Sequence, residues 1–428
     1  MPNSAPFQFG LCALLPALSC AIGLEACSSS GTVPSGTSTL AKTVNRFGSS
    51  RPALQNYRVL YSFGGTGTGP VGVTFGSHGQ LFGTTGGSYT SGDSTLYELT
   101  PAGSSYSERT LYNFSCSTDG CVPESAPLYD PSTGDLFVDT SRGGPYGQIG
   151  GSIVKFSRSG KNYARSAVFF FTPGYGNQPS GPPLLLNGTI YTTTAANGGN
   201  PKKGKVGRNL GGDILSFTPS DLQPSFLHYF HNGSAILGNL VANASGDLFG
   251  EAFTDSLDRN GAIYRFQLTG DGGKNRTLYR FQGGSDGSLP TGVLSMDEAG
   301  NLYGTTEEGG GPDLGVIFKL TRKGNEYKES LLHIFMGATD GEYPTGVTLV
   351  GKTLWGTTIL GGDENCSCGT IYSLSSSGTG YAVQHMFMGP DGSNPDGPPI
   401  LHDGKLYGTT DYGGASSDPT GVVYEFTP

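Results

Sequence analysis

At 428 residues, with 72 glycines and only 14% charged residues, the chain has the length of two or three ordinary domains or of one large β-domain. The net charge of −9 argues against a phosphate-backbone partner, which needs a clustered cationic face, and the regularly placed Tyr, Phe and Leu argue against low-complexity disorder. The one cationic run, "PKKGKVGR" at 201–208 with Lys202, Lys203, Lys205 and Arg208, reads as a solvated loop, so no nucleic-acid partner is expected.

In chain order, residues 7–24, "FQFGLCALLPALSCAIGL", have the apolarity of a signal-peptide core. They end in "LEACSSSG" (24–31), which resembles a bacterial lipoprotein processing box with Cys27 as the lipidated residue. The match departs in two places: no Lys or Arg precedes Lys42, and Glu25 stands just before Ala26. Residues 1–27 are therefore expected to be a leader, and 28–56 a flexible Ser/Gly/Thr-rich tether. An exported, periplasmic or cell-surface protein follows from this reading, touching a membrane only through an N-terminal lipid. Once the leader is removed, Cys116, Cys121, Cys366 and Cys368 remain, an even number that suits an oxidising compartment. Cys116 and Cys121 would close a small loop comfortably. Cys366 and Cys368, only one residue apart, would form a strained bridge if they pair.

From residue 57 onward the chain alternates apolar and polar residues in short runs such as "AIYRFQLT" (262–269) and "VIFKLT" (316–321), the pattern of strands with one buried face. One phrase recurs seven times: "LFGTT" at 81–85, "LFVDT" at 136–140, "IYTTT" at 190–194, "LFGEA" at 248–252, "LYGTT" at 302–306, "LWGTT" at 354–358 and "LYGTT" at 406–410. The copies start 52 to 58 residues apart, the period of propeller blades built from four-stranded sheets. Residues 290–335 parse into "GVLSMD", "NLYGTT", "GVIFKLT" and "YKESLLHIF", with tight turns after the first and third strands. The longer glycine-rich loops, after the second and fourth strands, then share one face. The last segment, "GVVYEFTP" (421–428), is a third strand without a fourth, and "YRVLYSF" (57–63) is a fourth strand without a predecessor. The predicted fold is therefore all-β: a seven-bladed β-propeller over 57–428, four antiparallel strands per blade, closed by an N-terminal strand that completes the last blade. Within the phrase, Gly304 is expected to let a neighbouring blade approach closely, and a monomer is expected.

The pattern "LYGTT…GG…G.IY.L…G…LY.F.GG.DG..P" resembles the GloVer-type tandem repeat of choice-of-anchor bacterial surface proteins, across about residues 57–428. That resemblance implies an exported protein held on the cell surface by an anchor, and it supplies no catalytic residues. No sorting segment follows Pro428, so the anchor is expected at the N-terminus.

The repeat also serves as a control, since residues common to the blades read as framework and departures read as candidates. "GGSDG" (283–287) matches a nucleophile elbow, but no helix follows and the equivalent "GATDG" (337–341) lacks the serine. His228, His333 and His385 replace an outer-strand aromatic, and no metal triad emerges from them. Asp119, Asp286, Asp340 and Asp391 each precede or adjoin a glycine in the loop leading to an inner strand. They could ring the channel mouth and hold Ca²⁺, the only cofactor in view, or simply cap Asp-Gly turns; the turn is favoured. Tyr146, Tyr175, Tyr343 and Tyr412 are the loop aromatics available for sugar stacking. The expected function is a non-catalytic binding module for a glycan or envelope protein, acting through the loop face. The alternative is a polysaccharide hydrolase or lyase at the channel mouth, which would need polar residues peculiar to one or two blades converging there.

Overall fold

The computed structural model describes residues 56–428 except 66–68, 88–92, 104, 146–149, 173–175, 180, 197–198, 201–204, 207–210, 231–235, 255–259, 271 and 417. The leader, Cys27, most of the tether, most of the cationic run, Tyr146 and Tyr175 lie outside the described residues. The chain from 56 onward folds into seven antiparallel blade sheets arranged as a β-propeller and one two-stranded ribbon (Gly199–Asn200 with Lys205–Val206), with no α-helix among the described residues. Blades 1 to 6 span 70–113, 128–170, 177–229, 236–280, 288–334 and 342–386. Blade 5 shows the plan: Ser288–Met296 lies innermost, followed outward by Leu302–Glu308, Val316–Lys323 and Glu326–Ile334.

Blade 7 takes its first three strands from 393–426 and its outermost strand, Tyr57–Gly64, from the other end of the chain. Tyr57 pairs with Phe426, Arg58 with Glu425 and Val59 with Tyr424. Glu425 holds this closure from three sides. Arg58 Nη2 lies 3.2 Å from one carboxylate oxygen, Lys405 Nζ lies 2.9 Å from the other, and the Tyr407 hydroxyl donates across 3.0 Å.

The core is divided among the seams. Seven apolar clusters each join two adjacent blades, as where Phe249, Ile263 and Phe281 of blade 4 pack on Leu294, Leu302 and Phe318 of blade 5. Each of these side chains is almost fully buried, and burial of one contributes about 1.5–3 kcal/mol. A second device ties each blade to the next. The residue before the inner-strand proline has positive φ in Val122, Gln178, Leu289, Tyr343 and Asn394. In four of these its N–H bonds a carbonyl on the preceding blade: Gln178 to Gly150, Leu289 to Asn260, Tyr343 to Leu314 and Asn394 to Cys368. Because the strained backbone recurs from blade to blade, it belongs to the frame.

The glycine of the recurring phrase has a different purpose from the one expected. A Cβ on Gly304 would meet the Phe318 ring at 2.6 Å and Leu294 at 2.8 Å, both in its own blade. The same position pairs with Tyr97 in blade 1, Tyr264 in blade 4, Tyr372 in blade 6 and Tyr424 in blade 7. Where the glycine is replaced, the partner shrinks: Val138 faces Val154, and Thr192 faces Leu215. Gly304 therefore makes room for an aromatic from the third strand of its own blade.

Candidate functional site

The four aspartates singled out from the sequence lie at four blade junctions, and each is engaged locally. Asp286 accepts the Gln282 N–H at 2.7 Å and the Tyr279 hydroxyl at 2.6 Å. Asp340 accepts the Met336 N–H at 2.8 Å and lies 3.1 Å from His333 Nε2; Asp391 does the same with Met388 at 2.7 Å and His385 at 3.0 Å. Asp119 accepts the Ser115 N–H at 3.0 Å and pairs with Arg165. The carboxylates thus point back to the outermost strand that the chain has just left, and the structure does not bring them together. Two of these junctions carry a further clasp from the next blade. Tyr381 stacks on His333 with centroids 3.6 Å apart, and Tyr57 stacks on His385 at 3.9 Å; each hydroxyl donates to the backbone carbonyl of the neighbouring aspartate. Burial holds His333 below the ordinary histidine pKa, although Asp340 opposes the shift. At the Asp286 junction the tyrosine position is taken by Glu329, which burial, with Asp286 adding, pushes up to about 7.

Tyr343 stands just before the inner-strand proline of blade 6, partly exposed. Tyr412 is 51% exposed at the end of the second strand of blade 7. Cys116 is bonded to Cys121, and Cys366 to Cys368.

The enzyme reading required polar residues peculiar to one or two blades at the channel mouth. In a blade of this plan the first strand starts, and the second ends, at the loop face, so residues at those two points surround the channel mouth. Five polar residues of blades 2 and 7 stand there: Glu124, Asp139 and Arg142 in blade 2, and Asp396 and Asp411 in blade 7. Glu124 and Asp396 each follow the inner-strand proline, where other blades carry Val71, Thr291 and Thr345. Glu124 lies within electrostatic range of Asp139, Arg142 and Asp396. Blades 2 and 7 are not neighbours, so the coupling between Glu124 and Asp396 runs past the axial side of blade 1.

Asp139 occupies the fourth position of the recurring phrase. In blades 1, 6 and 7 this residue is a threonine whose hydroxyl pins the blade to the next inner strand. Thr84 donates to the Ser125 carbonyl at 2.8 Å, Thr357 donates to Gly397 at 2.8 Å, and Thr409 accepts the Gly72 N–H at 2.9 Å. Asp139 Oδ1 instead accepts the Ser125 hydroxyl at 2.7 Å, while its Oδ2 is buried and without a partner. Burial pushes the Asp139 carboxyl up to about 7 against the Ser125 bond. Burial also raises Glu124 to about 7; Asp139 and Asp396 add to the rise, while Ser141 and Arg142 oppose it. Asp396 rises to about 6 on burial, and Asp411 rises well above its ordinary value through burial and the nearby Asp396. Glu124, Asp396 and Asp411 nonetheless keep part of their surface accessible, as side chains set deep in an open mouth do.

Both disulfides brace this mouth. The first precedes Val122, Pro123 and Glu124, and the backbone of Cys121 is bridged to that of Arg142. The second ends at Cys368, whose carbonyl accepts the Asn394 N–H at 2.9 Å, two residues before Asp396. A further departure, Glu251 in "LFGEA", stands at the Asp139 position of blade 4. It is 1% exposed, neither carboxylate oxygen has a partner, and burial raises its pKa well above the ordinary value.

Sequence reasoning missed Glu124, Asp139, Arg142, Asp396 and Asp411. The available signal was a carboxylate in place of the phrase's threonine at Asp139, and carboxylates at Glu124 and Asp396 where other blades carry Val71, Thr291 or Thr345.

Residues 205–352 match the Gloeobacter/Verrucomicrobia repeat family, and no curated protein matches the chain. Among solved structures, the chain is similar to a Dyadobacter fermentans protein of unknown function, at 10% identity and a TM-score of 0.47, covering 87% of this chain and 98% of that one. It is also similar to a Thermus thermophilus protein described as a candidate oxidoreductase (glucose dehydrogenase), at 13% identity and a TM-score of 0.46, covering 86% of this chain and 99% of that one.

Proposed function

We propose that this chain is an exported, surface-anchored propeller that acts as a non-catalytic binding module, engaging a glycan or envelope protein at the loop-face mouth of its channel. The observation that carries this reading is the convergence of Glu124, Asp139, Arg142, Asp396 and Asp411 from two non-adjacent blades. Glu124, Asp139 and Asp396 depart from the repeat, whereas residues that recur between blades are used in scaffold bonds. Tyr412 and Tyr343, on the same face, offer rings for stacking a sugar or an apolar side chain. Export is supported by the apolar leader and by two disulfides, which persist in oxidising compartments.

A second reading, a polysaccharide hydrolase or lyase, is favoured by one observation. Glu124 and Asp396 lie in the same mouth with pKa values of about 7 and about 6, so one proton donor and one acceptor can coexist there near neutrality.

The test is a glycan and envelope-protein binding screen, with and without Ca²⁺, run beside an assay for newly formed reducing ends or unsaturated products. The binding reading expects a hit that Glu124→Gln weakens, and no product from the bound polymer. Absence of any binding would end it. Product formation abolished by Glu124→Gln would put the enzyme reading in its place.

A further inference from the structure

We propose that Cys366–Cys368 is a site of thiol–disulfide exchange, open to attack by external thiols at Cys366. The proposal is independent of the binding-module reading. The two bridges of the chain differ in ring size and in exposure. Cys116 and Cys121 are five residues apart, with Cys121 buried and Cys116 partly so. Cys366 and Cys368 are two residues apart; Cys366 is exposed, while Cys368 is 4% exposed. A bridge stabilises mainly by restraining the unfolded chain, and it does so least when the loop it closes is short. The second bridge is therefore held less firmly against reduction, and exposure makes its outer sulfur the one open to attack.

The repeat shows that the loop does not need this bridge for its shape. In blade 5 the equivalent loop carries Pro312 and Leu314 where blade 6 carries Cys366 and Cys368. The residue between them is left-handed in both blades, with φ of 65° at Asp313 and 50° at Ser367. Its side chain accepts a glycine N–H across 2.8 Å in each, Gly309 to Asp313 and Gly361 to Ser367. The bond that closes the loop also recurs, from Gly315 to Gly309 at 3.1 Å and from Gly369 to Gly361 at 2.9 Å. So does the bond from the next blade, Tyr343 N–H to Leu314 and Asn394 N–H to Cys368. The frame thus fixes the bend that brings the two cysteines together, and keeps it once they part. Cys368 packs with Ile371 and Phe387 in a core cluster, where a neutral thiol serves as a small apolar side chain. The bridge adds to the brace on the mouth, yet opening it leaves these backbone bonds in place.

The exchange takes two steps. An external thiolate attacks Cys366 Sγ, forming a mixed disulfide there and releasing Cys368 as a thiolate that takes a proton from solvent. A second thiolate attacks the external sulfur of that mixed disulfide and releases Cys366. Two thiols are oxidised to one disulfide, and the two cysteines are reduced.

Thiols occur on small molecules and on proteins, and the test separates the two. The whole protein is incubated with reduced glutathione or with reduced thioredoxin, quenched by alkylation at set times and mapped by mass spectrometry. Cys366 and Cys368 should be reduced about tenfold faster or more than Cys116 and Cys121. Reduction by glutathione identifies a small-thiol site, and reduction by thioredoxin alone a protein-thiol site. In Cys368→Ser the free Cys366 should take up glutathione from its oxidised form, whereas in Cys366→Ser the buried Cys368 should not. The double substitution Cys366→Pro, Cys368→Leu installs the residues of blade 5. It should abolish the fast reduction and melt within about 3 °C of the unsubstituted protein. Equal reduction of the two bridges, faster reduction of Cys116–Cys121, no reduction by either thiol, or glutathione uptake at Cys368 would overturn the inference. Failure of the double variant to fold would do so as well, by showing that the bridge is structural.

Discussion

Single residues in this ring can be read against their counterparts in six other blades. Glu251 is the plainest departure, since the equivalent Thr84, Thr357 and Thr409 make bonds to the next inner strand while neither of its own oxygens has a partner. Glu251→Thr restores the residue of the other blades. It is expected to raise stability by about 1–3 kcal/mol at pH 8, seen as a higher denaturant midpoint. A lower midpoint would show that the glutamate is bonded to something other than the frame. The recurring phrase made the glycine position legible in the sequence but not its purpose: the compensation between Gly304 and Phe318, or Val138 and Val154, depends on strand register. Asp139 and Glu251 were visible as letters, yet their significance was not, because burial of the fourth position follows only once the blades close round the axis.

At the level of strands and loops, the sequence carried more. The tight turns, the two longer loops and the pairing of 57–63 with the last strand all follow from where glycine interrupts alternation, and Tyr57–Gly64 does pair with Pro419–Phe426. Removing residues 57–63 takes away the Arg58–Glu425 pair, the Tyr57–His385 stack and the buried Leu60. The expected outcome is a melting temperature lower by about 10 °C or more, or a chain that aggregates on expression. A melt within a degree or two of the full chain would mean that blade 7 stands without its outer strand. The mouth was the least legible element. Glu124 and Asp396 lie 272 residues apart, and only ring closure brings blades 7 and 2 to either side of blade 1.

For the molecule as a whole, the buried carboxyls determine how stability follows pH. Glu124, Asp139 and Glu329 rise to about 7 and Asp396 to about 6, while Glu251 and Asp411 also rise. Between about pH 4 and pH 7 the folded chain therefore holds more protons than the unfolded one, so stability falls as pH rises through that window. Asp130, Asp297 and Glu425 are lowered instead, and what they contribute is lost as pH falls below about 4. Melting temperature should thus peak near pH 4 and be several degrees lower at pH 8. A flat profile or a peak above pH 7 would show that the raised carboxyls are not buried in solution. The closure of blade 7 also has a consequence in time. Tyr57–Gly64 leaves the ribosome before the other described strands, and its partner, Pro419–Phe426, leaves last among them. For the whole of synthesis the first strand has no edge to join, and blade 1 faces an empty place where blade 7 will stand. Joining these two strands closes a loop that encloses every other described strand, which is slow and leaves sticky edges open meanwhile. A ring that is hard to open once shut is therefore also slow to shut, and its most vulnerable moment comes just before the final strand arrives.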